Sequence, residues 1–361
     1  MGPPPRTLLI LPGGFGDAPI LREFAVDLGL RVVGASSLSN DPAAADYAEW
    51  ARLPHIADAG FDAALDALVA ERGIDAIAVT HDAVMHHLRS SGLCDRLRVF
   101  QGRTHADLNA EYRLLRERLR SAAMIPELDR ASPPRPALSQ AEAAGFIRAA
   151  MLIRGQSDET KLMALIEAAR RAPSGDIVEI GSFFGRTAAL FAMLAGRYDL
   201  GRVLCVDPWA AEEIDQGADA LKSYSETHDW RYMRQIFEVN VAPFAAGRLN
   251  YFHGASTDAA KAYAADPVVR TDCFGETRYE GRAGLLYIDG NHEYGHVLAD
   301  TEAWAPMVKP GGWIVFDDYV WHWGDGPRRV GEAFLAGNGD RVRCAFVAAN
   351  ALFVQLGEAG R

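Results

Sequence analysis

Two stretches of the chain share one hydrophobic pattern, and that pattern sets the fold class. In TLLILPGGFGDAPILREFAVDLGLRVVGAS, residues 7–36, a short apolar run meets a Gly-rich turn, then an amphipathic segment, then a second apolar run. The layout returns in GDIVEIGSFFGRTAALFAMLAGRYDLGRVLCVDPW, residues 175–209. Strand, turn, helix and strand in this order open a parallel α/β domain. The first opening continues into a helix at FDAALDALVAERG and a strand at IDAIAVT. After the second, a polar, aromatic-bearing region through Phe244 reads as largely helical, with DWRYMRQIFEVNVAPF its clearest piece. Strands follow at RLNYFHG, AGLLYIDG and GGWIVFDD, and a last pair at RCAFVAA and ALFVQLG. Between the two openings a charged helical stretch, DLNAEYRLLRERLRSAAM, runs into ELDRASPPRPALSQ, whose Pro, Ser and charge content reads as a linker. The organisation expected is a small Rossmann-like α/β domain over 1–128, a linker over 129–140 and a larger α/β domain over 141–361. The stretch DPVVRTDCFGETRYEGRAG is longer than a plain connection and predicts contacts of its own.

Length agrees with two domains, since 361 residues exceed one typical core. Composition narrows the partners. With 49% hydrophobic and 24% charged residues the chain is an ordinary globular one. A formal net charge of -11 works against nucleic acid or an anionic membrane, because phosphate binding needs clustered Lys and Arg. Cys94, Cys205, Cys273 and Cys344 are far apart, so neither a zinc knuckle nor a disulfide framework is indicated. The opening apolar run is short and ends in glycines, unlike a secretory leader, so a cytoplasmic location is expected.

The first Gly-rich turn, GGFGDAP, lets the backbone approach a ligand at a helix N-terminus. Counted from Gly14, however, the third glycine of a dinucleotide fingerprint is Pro19, and no acid follows the second strand for a ribose. A structural turn or a lost nucleotide site is the better reading than NAD. Together with SNDPAAADYAEWARLPHI and IDAIAVTHDAV, this region resembles the Rossmann-like domain that precedes the ATP-binding module of ATP-grasp ligases, but no such module follows. Its expected use is packing, dimerisation into a homo-oligomer, or shaping a substrate entrance.

The second turn carries more. Glu179 ends a buried run, Gly181 and Gly185 allow a tight turn, Thr187 opens the helix, and Asp207 ends the next strand, where a carboxylate can accept two hydrogen bonds from a ribose diol. Without a third glycine or a Lys for phosphates, the set favours an adenosine ligand such as S-adenosylmethionine. VEIGSFFGRTA, CVDPW, HGAS and YIDGNHEYGHVLADTEAWAPMVKPGGWIVFDDY resemble the class I S-adenosylmethionine-dependent methyltransferases. Within them the pattern is similar to the metal-dependent sugar O-methyltransferases of macrocin and mycinamicin type, from roughly Gly155 to Phe334. The resemblance implies a mostly parallel seven-stranded sheet. It also implies a cofactor held by Glu179, Gly181, Ser182, Gly185, Thr187, Asp207, Ala255, Ser256 and Asp289. The plain alternatives are a capping acid at Glu179, turn glycines, and a helix N-cap at Ser256.

Asp289 closes one apolar strand, and Asp317 with Asp318 closes the next. Neighbouring strand ends lie about 5 Å apart, so three carboxylates converge at the edge where ligands of open α/β sheets bind. Converging anions repel, and a hard divalent ion such as Mg²⁺ relieves that. In the resembled family the corresponding acids hold a metal; solvated strand-end acids are the plain alternative. His292 reads as part of the first turn of the following helix, which would favour its neutral form. Its position matches the family's proposed general base. Asn291 stands where relatives often have Asp, while Glu293 and His296 are expected on the solvated side and Tyr294 beneath the site. The expected reaction is transfer of a methyl group from S-adenosylmethionine to a hydroxyl of a small molecule, a sugar or glycosylated natural product. Tyr224, Trp230, Tyr232, Tyr319, Trp321 and Trp323 are either acceptor-stacking or core residues. The rival readings are a non-catalytic scaffold, a nicotinamide oxidoreductase and a metal-independent methyltransferase.

Overall fold

Both strand–turn–helix openings form in the computed structural model, which describes residues 6–101, 105–123, 128, 130, 135–211 and 229–357. The chain divides into two units, Met1–Glu111 and Tyr112–Arg361. Of the expected linker over 129–140, only Arg130 and the residues from Arg135 onward are described.

In the first unit β1 (Thr7–Leu11), β2 (Arg31–Ser36), β3 (Glu49–Arg52), β4 (Ala76–Val79) and β5 (Val99–Gln101) form a wholly parallel sheet in the order β3-β2-β1-β4-β5. Alternate residues of β1 serve opposite faces, as the two-residue period requires. Leu9 and Leu11 pack with Phe61 and Leu65 of the helix Phe61–Arg72, whereas Leu8 and Ile10 pack with Ala18 and Ala25. The Gly-rich turn is filled by the chain's own side chains. A Cβ on Gly13 would lie 2.7 Å from the Trp50 ring and one on Gly14 2.9 Å from Asp41 Oδ1, while the Tyr47 hydroxyl donates to Gly13 O at 2.7 Å.

The second unit contains the expected seven-stranded sheet. Its strands are β6 (Asp176–Ile180), β7 (Val203–Asp207), β8 (Leu249–His253), β11 (Ala283–Ile288), β12 (Val308–Phe316), β13 (Val342–Ala348) and β14 (Ala351–Leu356), in the order β13-β14-β12-β11-β6-β7-β8. Every neighbour pair is parallel except those of β14, which runs against β12 and β13. The sheet is therefore mixed but mostly parallel. Apolar layers cover both faces, as a buried parallel sheet needs. Leu162, Leu165, Phe191, Leu194 and Phe237 line one, and Ala260, Tyr263, Val297, Trp304 and Val330 the other. The long connection before β11 forms a hairpin of β9 (Val268–Thr271) and β10 (Gly275–Arg278). Asn250 on β8 anchors it by donating from Nδ2 to Val269 O and Gly275 O.

Chain order steps outward from β6 to β7 and β8, then returns to β11 and β12 on the other side. Strand order thus reverses between β6 and β11, and a ligand crevice belongs at that point of the carboxyl edge. Gly181 follows β6 there and Asp289 follows β11.

Candidate active site

The turn after β6 is shaped by two glycines and one carboxylate. Gly181 has φ +82°, and a Cβ on it would fall 2.0 Å from the carbonyl oxygen of Asp289, so only glycine lets the two strand ends approach. Gly185, at φ +92°, heads the helix Arg186–Tyr198. Ser182 N and Phe183 N both donate to Asp207 Oδ2 at 2.8 Å, and Trp209 N donates to Oδ1 at 2.6 Å. A carboxylate offers about four lone-pair sites. Three are taken, which leaves one on Asp207 for a further donor. Burial raises its pKa, and the three backbone donors oppose that rise.

Glu179 lies behind this turn, fully buried. The Ser182 hydroxyl donates to its Oε2 at 2.7 Å, while Oε1 is buried without a hydrogen-bond partner. Burial pushes its carboxyl up to about 7, against the nearby Thr187 and Ser182 hydroxyls. Ser182 and Thr187 reach the cavity wall; Glu179 and Gly185 support it from behind.

The acidic strand ends do meet, though unequally. Register pairs Ile288 with Phe316, which sets Asp289 beside Asp317. Asp317 is almost fully buried and is held by Lys161, whose Nζ lies 2.6 Å from Oδ1 and 2.7 Å from Oδ2. The Tyr287 hydroxyl also donates to Asp317 Oδ2, and Asp318 N donates to Oδ1 at 2.9 Å. Lys161 and Tyr287 were not anticipated from the sequence. The signal for Lys161 was a cation on the apolar stripe of the helix Glu159–Arg171, in line with Ala164, Leu165 and Ala168. Asp158 caps that helix by accepting from Lys161 N at 2.8 Å. Arg186 ties the preceding segment to the glycine turn through Ile153 O and Ser157 O.

Asp318 adopts φ +49°, and its Oδ1 accepts from Asn350 Nδ2. Its Oδ2 is 2.8 Å from His292 Nε2, which is 3.8 Å from Asp289 Oδ1. His292 stacks on Trp321 at a centroid distance of 4.7 Å. The helix begins at Tyr294 with Glu293 as its N-cap, so His292 precedes the helix instead of lying in its first turn. Instead of resting neutral, the imidazole is pushed up to about 9. Burial opposes its charge, but contacts with Asp289 and Asp318 outweigh burial. Burial and the charge of Asp317 raise the Asp289 carboxyl. Asp289, His292 and Asp318 offer donor atoms all within 4.8 Å of one another, a carboxylate-rich set that fits a divalent cation. Asp317 is outside that set.

A cavity of about 650 Å³ joins the two regions, a volume in the range of small-molecule sites. Its wall includes Gly181, Ser182, Thr187 and Asp207 at one end, and Asp289, His292, Asp317 and Asp318 at the other. Ala255 and Ser256 also line it, but Ala255 is the N-cap of the helix Ser256–Ala265 and the Ser256 hydroxyl accepts from Trp304 Nε1 at 2.9 Å. Trp230 and Trp321 face the cavity. Tyr232 and Trp323 are exposed, Tyr319 packs against the core, and Tyr224 lies outside the described residues. Glu293 and His296 are exposed as expected. Among the described residues no helix is long and apolar enough to cross a membrane.

Residues 178–319 match a family model described as a methyltransferase domain. No curated protein matches the chain. Solved structures similar to it include the TDP-rhamnose 3'-O-methyltransferase CalS11 of calicheamicin biosynthesis, at 17% identity over 71% of this chain and 97% of that one, with a TM-score of 0.39. Another is the O-methyltransferase NovP, at 13% identity over 69% and 100%, with a TM-score of 0.42. A third is the O-methyltransferase TomG from Streptomyces achromogenes, involved in tomaymycin synthesis and solved with SAM, at 15% identity over 67% and 96%, with a TM-score of 0.40. The matched domain spans the glycine turn, Asp207 and the acidic strand ends, and the chain is an enzyme of methyl transfer.

Proposed function

We propose that this methyl-transferring enzyme uses S-adenosylmethionine and a divalent cation such as Mg²⁺ to methylate a hydroxyl of a small molecule, a sugar or a glycosylated natural product. The observation that carries the reading is one continuous cavity with the glycine turn and Asp207 at one end and Asp289, His292 and Asp318 at the other. Gly181, Ser182 and Thr187 would hold the methionine part of the cofactor, Asp207 its ribose, and Ala255 with Ser256 its adenine. A sugar as acceptor is supported by the sequence resemblance and by Trp230 and Trp321, whose faces suit a ring.

A divalent cation held by Asp289 and Asp318 would supply one thing, a lowered pKa for the acceptor hydroxyl. The chain's own residues supply alignment. Gly181 brings the cofactor turn against Asp289, so the methyl donor and the acceptor oxygen share one line of approach. Trp321 fixes the imidazole plane of His292, and Nε2 carries the proton between Asp318 and the acceptor. In this arrangement the imidazolium is the resting form, so proton acceptance requires the charge of the two carboxylates to be offset. Incubation with S-adenosylmethionine, Mg²⁺ and a panel of hydroxylated acceptors, read by mass spectrometry, tests the reading. A mass gain of one methylene unit on an alcohol that is lost in Asp289→Asn supports it; methylation of amines or thiols alone refutes it.

A further inference from the structure

Lys161 is the least expected group in the site. Only 3% of its side chain is exposed, and lysine is almost never buried without a partner. Its position is built, since Asp158 fixes its backbone N–H and its neighbours Leu162 and Leu165 are core residues. What it does follows from counting acceptor sites on Asp317. Oδ1 takes Lys161 Nζ and Asp318 N, and Oδ2 takes Lys161 Nζ and the Tyr287 hydroxyl. Those four contacts use the roughly four lone-pair sites of a carboxylate. Asp289 and Asp318, by contrast, keep oxygens turned toward each other and His292.

We propose that Lys161 is the permanent cation of the acidic pocket, withdrawing Asp317 from cation binding so that a divalent ion is held by Asp289 and Asp318 beside His292. The inference rests on the cation-assisted reading above. It assigns opposite duties to two adjacent aspartates and makes Lys161 a positioning residue that weakens the site for divalent ions. Removal of a unit charge several Å away, at an effective dielectric of about 20, changes cation affinity by at least about tenfold.

Calorimetric titration with Mg²⁺ alone tests this on the full chain, its Lys161→Met, Asp317→Asn and Lys161→Met/Asp317→Asn variants, with S-adenosylhomocysteine titrated into the same samples. Lys161→Met should bind Mg²⁺ at least about tenfold more tightly, and the double variant should return to the affinity of the unaltered protein. Asp317→Asn alone leaves Lys161 without its counter-charge and should bind Mg²⁺ at least about tenfold more weakly. A lysine with a merely structural role would weaken binding on removal, so the direction of change separates the two. Unchanged or weaker Mg²⁺ binding in a folded Lys161→Met overturns the proposal, as does a tenfold loss in the charge-neutral double variant. If Lys161→Met does not fold, the double variant decides, because it leaves neither an unpaired lysine nor an unpaired aspartate in the pocket. Absence of Mg²⁺ binding in every sample with S-adenosylhomocysteine binding intact overturns both this proposal and the cation reading, and leaves the cofactor reading standing. Loss of S-adenosylhomocysteine binding throughout sinks the cofactor reading instead.

Discussion

Replacing Gly181 with alanine would place a methyl carbon 2.0 Å from the carbonyl oxygen of Asp289 and 2.9 Å from Gly290 N. Both are backbone atoms, so no side chain can swing aside. The residue also has φ +82°, a left-handed conformation that costs a non-glycine residue about 1–2 kcal/mol. Displacing β6 from β11 adds an overpacking cost of about 1–3 kcal/mol. The sum, about 2–5 kcal/mol, lowers the melting temperature of a unit this size by roughly 4–20 °C. Because the two strand ends that move carry the cofactor turn and Asp289, S-adenosylhomocysteine affinity should fall as well. Gly196→Ala is the control, since a Cβ in that helix meets nothing within 4 Å and alanine favours the helix by up to about 1 kcal/mol. Differential scanning calorimetry and ligand titration on both variants decide the matter. A Gly181→Ala protein with unchanged melting temperature and unchanged affinity would show that the strand ends are not locked together as described.

His292 should titrate near pH 9 without a divalent cation, because Asp289 and Asp318 hold its proton against burial. Adding Mg²⁺ should move the titration lower, since the ion competes for the same carboxylates. The imidazole signals in NMR report this directly, and a midpoint near 6.5 that Mg²⁺ does not move would contradict it. Glu179 supplies a separate dependence. Its folded pKa of about 7 exceeds the usual carboxyl value of 4.5, so the folded state holds a proton that the unfolded state has lost. That contribution is complete below about pH 4.5 and is lost as pH rises through 7, an amount of about 3 kcal/mol. Glu179→Gln should therefore flatten the decline in melting temperature between pH 5 and 8, and an unchanged slope would count against the assignment.

The strands of the larger sheet and the glycine turn after β6 were legible because they rest on local signals. Apolar runs, glycines and the acids after them keep their meaning in one dimension, and β6, β7, β11 and β12 appear where those signals fall. Asp317 and Asp318 were not separable by the same means. They are adjacent in sequence, but the positive φ of Asp318 re-aims its side chain, and the partner that binds Asp317 lies 156 residues away in the chain. His292 was misplaced by a small margin with a large consequence. HEYGH reads as a continuous helical start, yet the helix begins only at Tyr294, and contacts with Asp289 and Asp318 outweigh burial in setting the charge of the imidazole. CVDPW placed Asp207 at a strand end, but the three backbone donors that occupy its carboxylate exist only once the turn is folded over it.

The central claim is that the crevice between β6 and β11 binds an adenosine-type methyl donor beside a cation site. Calorimetric titration of S-adenosylhomocysteine into the protein, with and without Mg²⁺ and in parallel on Asp207→Ala, tests it most directly. Saturable one-to-one binding that Asp207→Ala abolishes, with a separate Mg²⁺ isotherm lost in Asp318→Asn, is the predicted result. An absence of S-adenosylhomocysteine binding in the presence of Mg²⁺ would contradict the account.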